Sequence, residues 1–483
     1  MALALVERPD ERLSPLERLE VLCDPCSINL LRTGVRSHRL GDRARDGDGV
    51  LGATGAVDGR PIACFAQDAS FAGGSLGEAH AETVIRVLEL AGRARMPVVG
   101  FIESAGARMQ EGVAALSGYG RIFRAHTELS GLVPQISIIC GASAGGGSYA
   151  PALTDLVVMT RRASMFLTGP GVVREVTGEE VDADALGGPR VHDRNGVCHM
   201  VAETEVEAAL LARDLLDHLP QHAGESPARW PAVAPAPGDP GAVVPDEHRR
   251  VYDVRHVAAR LVDGGRLIET GDRWARNIVT AFARLDGRAV GIVANQPRYL
   301  GGVLDADSAT KAARFVRMCD SFGLPLIVLV DTPGFLPGTG QERIGVIRHG
   351  AKLVHAFAGA TVPRLTVVMR KAFGGAFIAM NSKDLGADLA IAWPGAQVGV
   401  MGAKQAVGIV SRREIAEASN PERALDRLAR AYARDHLAVE TAVAGGYLDE
   451  ITAPGDTRER LAATLSVLAG GRRRHRPGRN IPL

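Results

Sequence analysis

Two hydrophobic rhythms alternate along the chain. Short uninterrupted apolar runs, VPQISII from Val133, TDLVVMT from Thr154, PRLTVVM from Pro363 and ADLAIAW from Ala387, read as strands buried on both faces. Between such runs stand stretches with apolar residues at helical spacing. EAHAETVIRVLELAGRA over 78–94 and SATKAARFVRMCDSFG over 308–323 predict amphipathic helices. This alternation predicts an α/β architecture with parallel strand pairing.

The pattern occurs twice. MPVVGFIESAGARMQEG from Met96 matches LPLIVLVDTPGFLPGTG from Leu324, with Glu103 and Asp331 at an offset of 228. Gly73 and Gly74 fall on Gly301 and Gly302 at the same offset. VPQISIICGASAGGGSYA from Val133 matches VPRLTVVMRKAFGGAFIA from Val362 at an offset of 229. Between the halves, the segment Pro227 to Arg250 carries six prolines, the composition of a semi-rigid connector. The expected division is 1–235 and 236–483.

Composition narrows the function classes. Aromatic residues are 4% and glycines number 57, so the core rests on small and aliphatic side chains. A formal net charge of +1 carries no nucleic-acid footprint. The basic run Arg472 to Arg474 with His475 reads as a solvated tail. Six cysteines do not make a disulfide scaffold, and Cys23 and Cys26 form one CxxC without a second pair for a metal, so they read as unlinked thiols. The uncharged stretch from Leu129 to Thr154 holds Pro134 and five glycines, a poor membrane span. No charged and apolar leader opens the chain, and the expected location is cytoplasmic.

The chemistry-bearing elements are the two places where a strand runs into small residues, Gly141 to Gly147 and Phe373 to Ala376, before a helix. Backbone N–H groups exposed there suit an anion, and glycine lets a ligand approach closely. The chain lacks the GxxxxGK[ST] of a phosphate loop, so DTPG at Asp331 carries no nucleotide meaning. Gly141 to Gly145 also match G-x-S-x-G, the nucleophile elbow with Ser143 as nucleophile, but no histidine stands in a recognisable triad context. The favoured reading is an oxyanion that develops during acyl chemistry. Asp331 reads as a helix N-cap. Arg108 and Arg343 read as solvated, with CoA phosphates as the alternative.

SFAGGSLGEAH, ESAGARMQEGVAALSGYGRIF, GASAGGGSYAPALTD and TGPGVVREVTGEEV resemble the first half of carboxyltransferase (beta) subunits of biotin-dependent acyl-CoA carboxylases, of the propionyl-CoA carboxylase kind. ANQPRYLGGVLDADSATKAARFVRMCD, DTPGFLPGTGQE, RKAFGGAFIAMNSK, WPGAQVGVMGA and the terminal GRNIPL resemble the second half. The resemblance implies two tandem crotonase-like (ClpP-like) domains, a homo-hexamer, and active sites between the first half of one subunit and the second half of another. It implies acyl-CoA held by the first half and carboxybiotin, carried on a separate biotin carboxylase/biotin carrier alpha subunit, held by the second. CO2 would leave carboxybiotin, the freed nitrogen would take the α-proton, and the thioester enolate would attack CO2. No metal enters this scheme. Gly145, Gly146 and Gly147 would hold the enolate oxygen. Gly375 and Ala376, with Gly374 beside them, would hold the biotin ureido oxygen. Gly73, Gly74, Tyr149 and Ile378 are the further substrate-binding candidates. Ile378 stands where propionyl-type relatives tend to carry an acid, so the acyl chain is open. The Met401–Val407 segment carries Lys404 where relatives show Glu, beside the ligand loop. A decarboxylase subunit running the same step backwards, or a non-catalytic structural subunit, are the competing functions.

Overall fold

The computed structural model describes residues 12–247, 249–468 and Asn480; the basic run at 472–475 and most of the terminal GRNIPL lie outside the described residues. Among the described residues the chain forms two eight-stranded sheets of the same plan. The first contains β1 (Asn29–Leu31), β2 (Val50–Val57), β3 (Arg60–Gln67), β4 (Val98–Ser104), β5 (Gln135–Ala144), β6 (Leu156–Thr160), β7 (Ser164–Phe166) and β8 (Met200–Ala202). Strands β1 to β3 pair antiparallel, and every pairing from β3 onward is parallel. The second contains β9 (Ile268–Glu269), β10 (Ile278–Leu285), β11 (Arg288–Asn295), β12 (Leu326–Thr332), β13 (Arg364–Phe373), β14 (Leu389–Ala392), β15 (Gln397–Gly399) and β16 (Glu450–Ile451). Here β9 to β11 are antiparallel and the rest parallel. The duplication extends to detail. Val98 faces Gln135 as Leu326 faces Arg364, and each pairing slips at the same place, after Ile102 and after Val330.

The helices that matter here are α1 (Pro15–Leu22), α2 (Glu78–Ala94), α3 (Val113–Leu129), α4 (Gly146–Ala152), α5 (Glu205–His218), α6 (Ala306–Ser321), α7 (Val346–Gly359) and α8 (Gly374–Ala379). Helix α2 spans the residues its periodicity predicts. Helix α6 starts two residues earlier than expected, because Ser308 is the third helical residue of a capping box and not the cap. The Asp305 carboxylate accepts from Ser308 N–H, and Ser308 Oγ accepts from Asp305 N–H.

The predicted strands all form, but β5 runs further than its apolar pattern. It continues through Gly141, Ala142, Ser143 and Ala144, so the first glycine stretch is mostly strand. Gly141 is there for packing: a Cβ would overlap the Glu103 carboxylate on β4. The loop proper shrinks to Gly145.

The core is continuous between the halves. One cluster of buried residues includes Leu216 and Leu219 of the first half with Phe282, Phe315 and Val316 of the second. Polar ties reinforce it. Arg314 on α6 donates to the carbonyls of Thr154 and Asp155 at 2.9 Å each, just beyond the end of α4. Asn480 Nδ2 donates to Asp155 Oδ1 at 3.0 Å, so Asn480 lies against the first half. The proline-rich connector lies along the second half: Trp230 N–H donates to Gly287 O and Ala236 N–H to Ala259 O. Among the described residues no helix is long and apolar enough to cross a membrane.

Candidate active site

Both strand-to-helix junctions are built alike. Gly145 follows β5 with φ 55° and Gly374 follows β13 with φ 60°, a left-handed turn that favours glycine. The chain then enters α4 at Gly146, while α8 opens on Gly374 itself. As first-turn groups, the N–H donors of Gly146, Gly147, Gly375 and Ala376 have no intrahelical acceptor. Gly145 N–H itself is spent on Phe166 O of β7 at 3.0 Å. The donors left for a ligand at the first junction are therefore those of Gly146 and Gly147.

The walls differ. At the first junction the Tyr119 ring of α3 lies against Gly146, where a Cβ would stand 2.5 Å from Cγ. Tyr119 is buried and its hydroxyl meets Ser104 Oγ at 3.2 Å; burial raises its pKa, so it stays a neutral phenol. Ser148 Oγ donates to Ser143 O at 2.6 Å and accepts from Phe166 N–H at 3.1 Å, fixing the junction to β7. At the second junction a Cβ on Gly375 would meet nothing nearer than Phe335, at 3.9 Å. A cavity of about 700 Å³ opens there, lined by Lys371, Phe373, Gln397, Met401, Gly402 and Arg430. A separate cavity of about 650 Å³, beside Arg161, Arg190 and Asp272, includes neither junction among its walls.

The two other glycine pairs are turns of positive φ that lay a segment beside a strand end. Gly74 approaches Glu103 O so closely that a Cβ would overlap it, and Gly302 does the same to Asp331 O at 2.5 Å. In the first half Leu76 N–H donates to Gly106 O at 2.8 Å, and in the second Leu304 N–H to Gly334 O at 3.0 Å. Tyr149 and Ile378 occupy the same place on α4 and α8 and are half exposed, 52% and 50%.

Arg108 and Asp331 depart from expectation, and the rejection of the Ser143 elbow stands. Ser143 is no elbow nucleophile: it sits inside β5, fully buried, and its Oγ has no hydrogen-bond partner. Arg108 cannot reach a phosphate from solvent, because it is buried against Asp48 at 2.6 Å and Glu111 at 2.8 Å. Asp331 is not an N-cap. It lies within β12, fully buried, accepting from Tyr252 OH at 2.9 Å and Arg370 Nε at 3.0 Å. Lys404 lines the second cavity, but its charge is matched by Asp426 at 2.5 Å. Arg343 is exposed on the short helix Thr339–Ile344. The thiols of Cys23 and Cys26 are unlinked, with Cys23 buried beside Cys64 and Cys26 exposed.

Sequence reasoning missed Tyr119, Ser148, Lys371 and the Asp331–Arg370–Tyr252 cluster. A usable signal existed for the last two: Arg370 and Lys371 interrupt an otherwise apolar strand, and a buried basic pair requires a partner. Among the described residues no group of three His, Cys, Asp or Glu is placed to hold a metal.

The carboxyl transferase domain model matches residues 6–481. The chain is 47% identical over 458 residues to the propionyl-CoA carboxylase carboxyltransferase subunit of Haloferax mediterranei, covering 93% of this chain and 89% of that protein. It is 45% identical over 471 residues to the methylmalonyl-CoA carboxyltransferase 12S subunit of Propionibacterium freudenreichii subsp. shermanii, covering 96% and 90%. Among solved structures, a transcarboxylase 12S hexamer with methylmalonyl-CoA and methylmalonic acid bound superposes with a TM-score of 0.92 at 44% identity, covering 98% of this chain and 92% of that one.

Proposed function

The chain belongs to the carboxyl transferase domain family, as a crotonase-fold carboxyltransferase of biotin-dependent acyl-CoA carboxylases, and we propose that its two glycine junctions are a pair of oxyanion holes with different ligands. The observation that carries this is the repetition itself. Two strand-to-helix turns at equivalent positions each leave a pair of adjacent backbone N–H groups without an acceptor in their own helix.

At the first junction Gly146 and Gly147 donate to the thioester oxygen of an acyl-CoA, with Gly145 making the turn. As the α-proton leaves, charge grows on that oxygen and the two donors strengthen against it. Removing one such donor in an acyl-transfer site costs on the order of 10²–10³ in kcat. Tyr149 and the Gly73–Gly74 turn border the acyl chain.

The second junction fits a carboxybiotin brought by a separate biotin carboxylase/biotin carrier subunit. Gly375 and Ala376 donate to its ureido oxygen, Gly374 turns the chain, and Phe335 and Phe373 give an apolar wall for a planar ring. Bound carboxybiotin supplies the CO2 unit and the atom that receives the α-proton. The protein's own part is positioning and charge stabilisation, and no side-chain base is assigned. Ile378 on α8 sets the acyl chain across the interface.

Two apolar faces support an assembly in which these junctions meet. Met109 is 90% exposed and Val113 80%, near the first junction; Ile347 is 76% exposed and Val410 78%, in the second half. We propose that they cover each other in a homo-hexamer, in the cytoplasm, with each chain divided at 235/236. The test mixes the purified chain with a biotin carboxylase and biotinylated carrier, ATP, labelled bicarbonate and a panel of acyl-CoAs. Label is expected in an acid-stable carboxyacyl-CoA; no label with any acyl-CoA overturns the proposal.

A further inference from the structure

The Gly73–Gly74 turn is left-handed for three residues in a row, with φ 50° at Ala72, 64° at Gly73 and 69° at Gly74. Ala72 is not a glycine, and such backbone persists where its surroundings over-determine it. Arg108, from the segment between β4 and α3, braces this turn at both ends. Its guanidinium lies over the ring of Phe71, the residue before the turn, at 5.3 Å. It also donates to the carbonyl of Ser75, the residue after the turn, at 2.9 Å. Gly77 leaves the room this needs, since a Cβ there would overlap Arg108 Nη1.

The guanidinium is anchored from behind. Nη1 meets Asp48 Oδ1 at 2.6 Å and Glu111 Oε1 at 2.8 Å, and Nη2 donates to Asp48 O at 3.2 Å. Both acids are themselves fixed. Asp48 Oδ2 accepts from His80 N–H of α2 at 2.9 Å, and Glu111 accepts from Ser37 Oγ and from Glu78 N–H at 2.7 Å each.

The second half carries the same turn with no such brace. There φ is 50° at Leu300, 65° at Gly301 and 77° at Gly302. Leu336 stands in the place of Arg108 on the same backbone frame: Arg108 N–H donates to Leu76 O at 2.9 Å and Leu336 N–H to Leu304 O at 2.7 Å. The cation beside that turn is Arg276, an exposed residue stacked on Tyr299 at 3.9 Å. The frame therefore makes the turn without a buried guanidinium, and the brace is an addition of the first half.

We propose that Arg108 is a positioning residue for acyl-CoA: it holds the Ala72–Gly74 turn rigid beside the first junction, so that the substrate meets a preformed wall. This rests on the acyl-CoA reading of that junction. Arg108 touches no reacting atom. It acts on how much ordering accompanies binding of the CoA ester, and a pre-ordered site binds more tightly.

The test uses Arg108→Lys in the whole assembled protein. An ammonium keeps the charge between Asp48 and Glu111 but lacks the planar fork that also spans Phe71 and Ser75 O. In carboxyl transfer from a carboxyacyl-CoA to free biotin, the variant is expected to raise KM for the CoA ester about tenfold, the scale of one hydrogen bond from a charged group. KM for biotin is expected to stay within about twofold. Amide exchange followed by mass spectrometry is expected to quicken over residues 71–76 and stay unchanged over 299–304, the same turn without the arginine. An arginine that served stability alone would move both KM values or neither. Phe71→Leu removes the ring and leaves the ion cluster whole. It is expected to shift KM for the CoA ester and exchange over 71–76 in the same direction, and it serves where Arg108→Lys does not assemble. Equal changes in both KM values, or unchanged exchange over 71–76, overturn the role of Arg108. Wild-type protein that transfers no carboxyl group between a CoA ester and biotin overturns the acyl-CoA reading, whatever the exchange shows.

Discussion

Gly146→Ala is the sharpest probe of the first junction. A Cβ there would stand 2.5, 2.6 and 2.8 Å from Cγ, Cδ1 and Cδ2 of Tyr119. Ordinary carbon contacts are about 3.5–4.0 Å, so ring and backbone must separate by roughly 1 Å. Tyr119 is only 5% exposed and its hydroxyl is held by Ser104. The lighter partner is the junction, so its N–H groups shift. Overpacking of this kind costs about 1–3 kcal/mol of stability. A 1 Å misplacement of reacting groups costs on the order of 10²-fold in rate. Gly375→Ala should behave differently, since φ is not positive there and nothing lies within 3.9 Å. It should melt with the wild type and act through the ligand, raising KM for biotin. The measurements are a thermal melt and steady-state kinetics on both variants, with Gly146→Ala/Tyr119→Ala as a third. Removing the ring should recover part of the rate lost to Gly146→Ala. If Gly146→Ala melts with the wild type and keeps kcat within threefold, the junction is not held by Tyr119 and the donor assignment falls.

Ile378→Asp should change the ratio of kcat/KM between propionyl-CoA and longer acyl-CoAs by about tenfold, the scale of one or two methylenes in a pocket; an unchanged ratio removes Ile378 from the acyl site. His80 is fully buried, and desolvation lowers its pKa from 6.5 to about 3. Between those values the unfolded chain binds the extra proton, so stability falls as pH drops from 6.5 towards 3, by about 2 kcal/mol at pH 5. Urea unfolding of His80→Gln at pH 7 and pH 5 should show a correspondingly smaller loss. A thiol reagent should modify Cys26 alone in the native subunit and six thiols in denaturant, since the other five are buried.

Fold and repeat were legible because they rest on backbone periodicity. Strand–helix alternation, the 228–229 offset and the glycine junctions survive in the structure almost residue for residue. What sequence could not separate was a glycine needed for a turn from one needed for packing. Gly141 and Gly145 look alike in GASAGGG, yet Gly141 is strand against Glu103 and only Gly145 has a positive φ. Polar residues misled for a related reason. Arg108 and Asp331 look like surface chemistry, but each is buried in an ion cluster whose members lie far apart in the chain: Asp48 with Arg108, Tyr252 and Arg370 with Asp331. Such pairings arise from tertiary packing and leave no local spacing to read.

The strand-end acids show how one duplicated frame came to carry two different charge clusters. Glu103 and Asp331 hold the same position in β4 and β12. Glu103 turns to the Arg18 guanidinium of α1, which it shares with Glu205 of α5, and Arg12 reaches it as well. Two carboxylates meet two guanidiniums, so the charge closes on itself. Asp331 instead meets Arg370, Tyr252 and Lys371, two basic groups and a phenol around one acid.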